Sequence, residues 1–288
     1  MAQRYERKII IYELKKRILS GKAVLCFGAG CGMTAASAER GGADLISIYS
    51  AAVCRIDGVP SFLAWLPYGN VNDDMRRVSK KILPLIKKTP CIAGLGVHDP
   101  RIDISELIDE FITMGYSGIS NEPFCSTYGA EMCRLLNDAG IGFSREVKLI
   151  STAHKKDIFT LAWAAGPEEA KVLAKAGADV IGVLAGLPRE NGENKEKYLN
   201  RVMHHVSDVN KAAKETNSDV VTLVHGGPIN DVSATVRALK ETGVDGSASG
   251  SGGERIPAER EIEAIVREYR EIATYPILND KTRIKVDR

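Results

Sequence analysis

Four short phrases recur along the chain: Gly41-Gly42-Ala43-Asp44, Gly115-Tyr116-Ser117-Gly118, Ala176-Gly177-Ala178-Asp179 and Gly243-Val244-Asp245-Gly246. Each marks the point where one element stops and a short apolar run begins. A glycine just past the last helical residue accepts the left-handed backbone that ends a helix. A short apolar run after such a turn has the pattern of a strand buried on both faces. Helix stop, tight turn and buried strand, repeated, is the signature of a parallel α/β fold. Eight strands are expected, at Ala23–Phe27, Asp44–Tyr49, Cys91–Gly94, Ser117–Ser120, Ile158–Trp163, Val180–Leu184, Val220–Val224 and Asp245–Ser249. Helical spacing of apolar residues lies between them at Ser105–Met114, Tyr128–Ala139, Phe143–Lys155, Glu168–Ala176, Leu199–Ala213, Ser233–Thr242 and Ala258–Tyr269. Eight units favour a closed (β/α)8 TIM barrel over an open doubly wound sheet.

The 288 residues suit one such barrel. An N-terminal helix within residues 1–20 is expected to plug its bottom, residues 21–270 to form the barrel, and residues 271–288 to be an extension. Aromatics are 6% and glycines number 27, a balance better suited to tight βα turns than to a β-sandwich. Net charge is +2, which asks for neither nucleic acid nor an anionic membrane as partner. No apolar run reaches the length of a membrane span, and the charged N-terminus does not read as a secretory signal. Six cysteines without a Cys-x-x-Cys pair read as reduced thiols in a cytoplasmic protein.

Loops after barrel strands form the catalytic face, so residues there carry the chemistry. The first turn, Gly28-Ala29-Gly30-Cys31-Gly32-Met33, lacks the third glycine of a dinucleotide fingerprint, and no acidic residue closes the second strand. It is not a nucleoside-triphosphate loop either. No nicotinamide, flavin or pyridoxal phosphate is expected. Gly28, Gly30 and Gly32 could present backbone N–H groups to an anion or simply serve the turn. The seventh strand runs into His225-Gly226-Gly227 and the eighth into Ser249-Gly250-Ser251-Gly252-Gly253. Paired glycine-rich loops at these two places are where such barrels commonly hold phosphate. His225 has the position of a proton carrier. Asp99 and Glu122 end adjacent strands and are the candidate pair for Mg2+. Arg55 or Arg255 would neutralise an anion. No lysine ends a strand, which weighs against a Schiff-base aldolase or synthase.

The segments FGAGCGMTA (27–35), GGADLISIYS (41–50), LPYGN (66–70), TPCIAGLGVHDP (89–100), AGADVIG (176–182), HGGPI (225–229) and GGERIPAE (252–259) together resemble the phosphoenolpyruvate hydrolase-like family of TIM barrels. The same barrel forms the C-terminal domain of a plant protein that blocks tobamovirus replication. The resemblance reaches distantly to the phosphoenolpyruvate mutase and isocitrate lyase superfamily, whose members act on small keto or phospho acids with Mg2+. It implies site positions at Gly28, Gly30, Gly32, Tyr49, Arg55, Asp99, Asn121, His225, Gly226, Gly227, Glu254 and Arg255, and a homo-oligomer. Tyr49-Ser50-Ala51-Ala52-Val53 departs from the family's Tyr-Asn-Ser-Gly-Arg, so one arginine is missing. The expected function is cleavage or isomerisation of a small phosphorylated or carboxylated metabolite through an enolate-like state. His225, Glu122 and Arg55 would be its catalytic residues. The alternative is a ligand-sensing or protein-binding barrel without catalysis.

Overall fold

The computed structural model describes residues 3–272, so most of the expected C-terminal extension lies outside the described residues. Eight parallel strands close into a barrel in sequence order. They are β1 (Val24–Ala29), β2 (Leu45–Ile48), β3 (Cys91–Leu95), β4 (Gly118–Asn121), β5 (Phe159–Ala164), β6 (Val180–Leu184), β7 (Val221–His225) and β8 (Gly246–Ser249). Every expected strand is present, with boundaries moved by a residue or two. Closure is made by β8 against β1, where Val24 pairs with Gly246 and Phe27 with Ser249.

The alternating side chains of the strands separate two cores. Leu45, Ile92, Phe159, Leu161, Val221 and Leu223 fill the barrel. Ile46, Ile48, Ala93, Ile119, Ile181 and Val224 face outward beneath the helices. The helix Arg7–Leu19 buries Ile10 and Leu14 against the inner core, so it closes the barrel's bottom as its place in the sequence suggests. Two helices outside the expected set join the ring: Gly32–Arg40, rich in small residues, and Val71–Ile82, half of it charged. The second buries only the thin stripe Met75, Val78 and Ile82 together with two polar residues, too sparse a pattern to stand out in sequence. The long connection after β2 is also not bare loop, because Ala51, Ala52 and Val53 carry a helix over Ser50–Ile56.

The recurring Asp serves one purpose at each site. Asp44 accepts from the Leu25 N–H at 2.8 Å, Asp179 from the Thr160 N–H at 3.0 Å and Asp245 from the Thr222 N–H at 2.7 Å. Each carboxylate just before a strand thus satisfies a backbone donor on the strand before it, at the barrel's bottom. Arg7 and Arg17 of the plug helix pair with Asp179 at 2.8 Å and Asp44 at 2.9 Å, fastening the plug to those same carboxylates.

The ring has one gap. The last described helix, Ile256–Arg270, has no buried residue. The outer side chains of β1 and β8, Leu25, Phe27, Ser247 and Ser249, stay partly open and line a cavity with Val232 and Val236.

Candidate active site

At the C-terminal end of the strands the large polar side chains sit beside glycines. A Cβ on Gly28 would fall 2.6 Å from the Tyr49 hydroxyl, and one on Gly94 would fall 3.3 Å from the Glu122 Cβ. A Cβ on Gly182 would strike the Trp163 ring, and one on Gly250 would lie 2.8 Å from His225 Cε1 and 3.5 Å from Arg55 Nη1. Glycine inside a strand weakens it and earns its place through close approach. Here each of these glycines makes room for Tyr49, Glu122, Trp163 or His225.

Tyr49 and Arg55 are linked through a residue from the far end of the chain. Tyr49, the first residue beyond β2, donates its hydroxyl proton to Glu254 Oε1 at 2.5 Å. Arg55 Nη1 donates to Glu254 Oε2 and to the Tyr49 hydroxyl, both at 2.9 Å, while its Nε is held by Ser61 at 2.8 Å. Burial works against the Arg55 guanidinium, yet Tyr49 and Glu254 hold it more firmly protonated than a free arginine. Burial pushes the Glu254 carboxyl up, and Arg55 and Tyr49 pull it back. Glu122 lies within the field of the same pair. Burial pushes its carboxyl up to about 8, with Arg55 opposing and Glu254 reinforcing the shift. Burial thus favours the protonated form of Glu122, while Glu254 accepts from Tyr49 and forms the ion pair with Arg55.

His225 ends β7. Its Nδ1 lies 2.8 Å from the Ala248 carbonyl oxygen, an acceptor only, so Nδ1 carries the proton and Nε2 keeps its lone pair. The ring packs against Trp163 with centroids 4.9 Å apart. Burial pulls its pKa down to about 4, with Arg55 adding to the effect and the Ala248 bond opposing it. His225 is a neutral base at physiological pH. His225 and Arg55 open together into a cavity of about 690 Å3, lined also by Gly226, Gly227, Ser249, Gly250, Ser251 and Gly252, and by the aromatic wall Phe62, Trp65 and Phe124.

The structure thus places Arg55, His225 and the two glycine-rich loops on one cavity, with Tyr49 buried behind Arg55 and Glu122 buried outside the cavity lining. Other expected residues have different duties. The space left by Gly28 admits the protein's own Glu254 carboxylate rather than a ligand; Gly30 lies under the Ala52 carbonyl and Gly32 under Leu85. Asn121 is fully buried, with its amide spent on Glu146, the Trp163 carbonyl and the Trp163 N–H, so it ties β4 to β5 instead of binding substrate. Arg255 points away and pairs with Glu259 at 2.8 Å. Asp99 is held by Arg101 at 2.7 Å, which pulls its carboxyl down to about 2, and shares no partner with Glu122. Among the described residues no three His, Cys, Asp or Glu side chains converge closely enough to hold a metal ion. Asp99 is thus committed to Arg101, and the roles proposed for this site are those of the chain's own residues.

Glu254, a position implied by the family resemblance, follows a glycine run, where sequence alone gives it no partner; one further acidic residue was not expected at the site. Glu146, inside the helix Phe143–Lys155, is 1% exposed and accepts from Asn121 Nδ2 at 2.5 Å and the Cys125 N–H at 2.8 Å. It anchors the loop that carries Glu122 and Phe124. A charged residue on the inner stripe of a helix was the available signal.

The model of the family described as phosphoenolpyruvate hydrolase-like matches residues 9–272. The ToMV susceptible protein tm-1(GCR26) of Solanum lycopersicum is 32% identical over 271 residues, 93% of this chain and 36% of the tomato protein. The chain thus spans about a third of the length of that curated relative. Among solved structures, phosphonopyruvate hydrolase in complex with oxalate and Mg++ superposes with TM-score 0.59 at 15% identity, over 91% of this chain and 88% of that one. Oxaloacetate acetylhydrolase with 3,3-difluorooxalacetate gives TM-score 0.60 at 15% identity, over 96% and 92%. At such identity these structures speak for the fold, while the match across nearly the whole length speaks for kinship: the chain belongs to the phosphoenolpyruvate hydrolase-like family.

Proposed function

We propose that the chain is an enzyme that acts on a 2-oxo acid through an enolate-like state at the barrel mouth. The observation that carries this reading is the meeting of His225 and Arg55 across Gly250 on one cavity, with burial disfavouring the charged form of His225 and of the nearby Glu122 carboxyl. Environments that push two titratable groups apart in this way assign the base and the acid. His225 Nε2 takes the proton. Arg55 faces the developing oxyanion across Gly250, in a setting that strengthens charge–charge attraction. Glu122 holds the proton to be returned. Solved relatives of this fold are described as phosphonopyruvate hydrolase and oxaloacetate acetylhydrolase, whose names imply C–P and C–C cleavage; both chemistries are compatible with an enolate.

The test is exchange. Incubated with pyruvate in D2O, the protein should wash deuterium into the methyl group, followed by proton NMR. His225→Asn should stop this while leaving the circular dichroism spectrum unchanged, and equal exchange by the variant removes His225 from the mechanism. A regulatory barrel without catalysis is the second reading, favoured by the description of the tomato relative as a virus-susceptibility protein. It predicts no exchange with any acid.

We propose further that the chain works in the cytoplasm as a homo-oligomer. The six cysteines are unpaired thiols, and no described helix is long and apolar enough to cross a membrane. The unburied helix Ile256–Arg270 and the open face of β8 and β1 support self-association.

A further inference from the structure

We infer that the mouth is shaped for a monoanionic 2-oxo acid with an aryl or bulky alkyl body, rather than for a three- or four-carbon acid of higher charge. This rests on the keto-acid reading above and narrows its substrate class. Charge is the first argument. Among the described residues Arg55 is the one cation lining the cavity, and Asp231 is a carboxylate on the same lining. The charge of Arg55 is already matched by Glu254 at 2.9 Å. That leaves Nη2 of Arg55 and backbone N–H groups for one acidic head. Each further negative charge on a ligand would be desolvated with no cation opposite it, a costly arrangement.

The wall is the second argument. Trp65 and Phe124 meet edge to face with centroids 5.4 Å apart, and Phe62 lies 6.3 Å beyond Trp65. The polar atom of Trp65 is consumed, because its Nε1 donates to the Phe124 carbonyl at 2.8 Å, and Tyr128 donates to the Trp65 carbonyl. These bonds lock the loop after β2 to the loop after β4. The indole is left to present apolar surface, and Phe124 leads on through Trp163 to His225. An aromatic wall that begins beside the base and runs on to Phe62, next to the Ser61 that holds Arg55, fits a substrate whose acidic head carries an apolar body.

Isothermal titration calorimetry with phenylpyruvate, pyruvate and oxaloacetate tests this. Phenylpyruvate should bind at least about tenfold more tightly than either of the others, in line with the cost of leaving an apolar pocket unfilled. Trp65→Ala should reduce phenylpyruvate affinity about tenfold or more and pyruvate affinity by about twofold at most. Phe62→Ala, at a side chain 67% exposed and so harmless to folding, should act in the same direction. Oxaloacetate binding as tightly as phenylpyruvate, no phenylpyruvate binding, or equal losses for both acids in the variants overturns the inference. Tight phenylpyruvate binding without deuterium exchange at its benzylic carbon would instead leave this assignment standing and remove the catalytic reading.

Discussion

At the scale of single residues, the site depends on two proton carriers shifted in opposite directions. His225, pulled down to about 4, must be neutral to accept a proton, so activity should rise as pH climbs through that value. Glu122, pushed up to about 8, must be protonated to give one back, so activity should fall as pH passes that value. The kcat/KM profile of the free enzyme should therefore be a bell with limbs near these two points. Glu122→Gln should retain the acid limb, lose the alkaline one and turn over more slowly; an unchanged alkaline limb would assign that limb to another group. His225 and Glu122 could be picked from the sequence because strand ends face the mouth, whereas Arg55 lies in the helix after β2. Glu254 came only with the family resemblance, since its role comes from contacts with Tyr49 and Arg55, about 200 positions earlier in the chain. The glycines misled for a related reason. Absence of a Cβ is visible in sequence, but what fills the space is not, and at Gly28 the occupant is Glu254 itself.

At the scale of elements, the repeated phrase before each strand foretold the architecture and left its energetics to the structure. The glycines stop helices, as expected from their freedom in the left-handed region: Gly115 and Gly243 sit there with φ of 114° and 71°. The aspartates do something periodicity cannot show, since each reaches across to a neighbouring strand. Asp179 accepts the most hydrogen bonds, from the Thr160 N–H and hydroxyl and from Nε and Nη2 of Arg7, with its side chain 4% exposed. Asp179→Ala should cost about 3–5 kcal/mol, because it strands both a buried donor and the guanidinium of the plug helix. Arg7→Ala should cost clearly less, since Arg7 is 22% exposed and Thr160 keeps its acceptor. Urea unfolding midpoints of the two variants measure the difference, and equal losses would show that the ion pair, not the strand cap, carries the stability. The helices Gly32–Arg40 and Val71–Ile82 escaped the sequence reading because shielded small or polar residues, rather than an apolar stripe, form much of their inner faces.

At the scale of the whole molecule, the barrel is closed but its helical ring is not. The helix Ile256–Arg270 carries Ile262, Ile265, Val266 and Tyr269 at helical spacing, each at least half exposed. That i, i+3, i+4, i+7 stripe is the pattern of a helix that packs on a sheet or another helix. Among the described residues nothing covers it, while Leu25, Phe27, Val232 and Val236 form an apolar face lacking its helix. A stripe and a vacant seat of matching character on one chain are satisfied if a second copy supplies what each lacks, and a two-fold arrangement satisfies both at once. Light scattering after size exclusion should find an oligomer. Ile262→Glu combined with Ile265→Glu should yield a folded monomer, because two carboxylates cannot enter an apolar seat without losing their hydration. A monomeric parent protein, or a variant that stays assembled, would reject the arrangement. The seat is continuous with the cavity that holds Arg55 and His225, so the same variant should also weaken ligand binding there. Assembly and site would then be coupled through one wall, although no residue of the stripe touches the histidine.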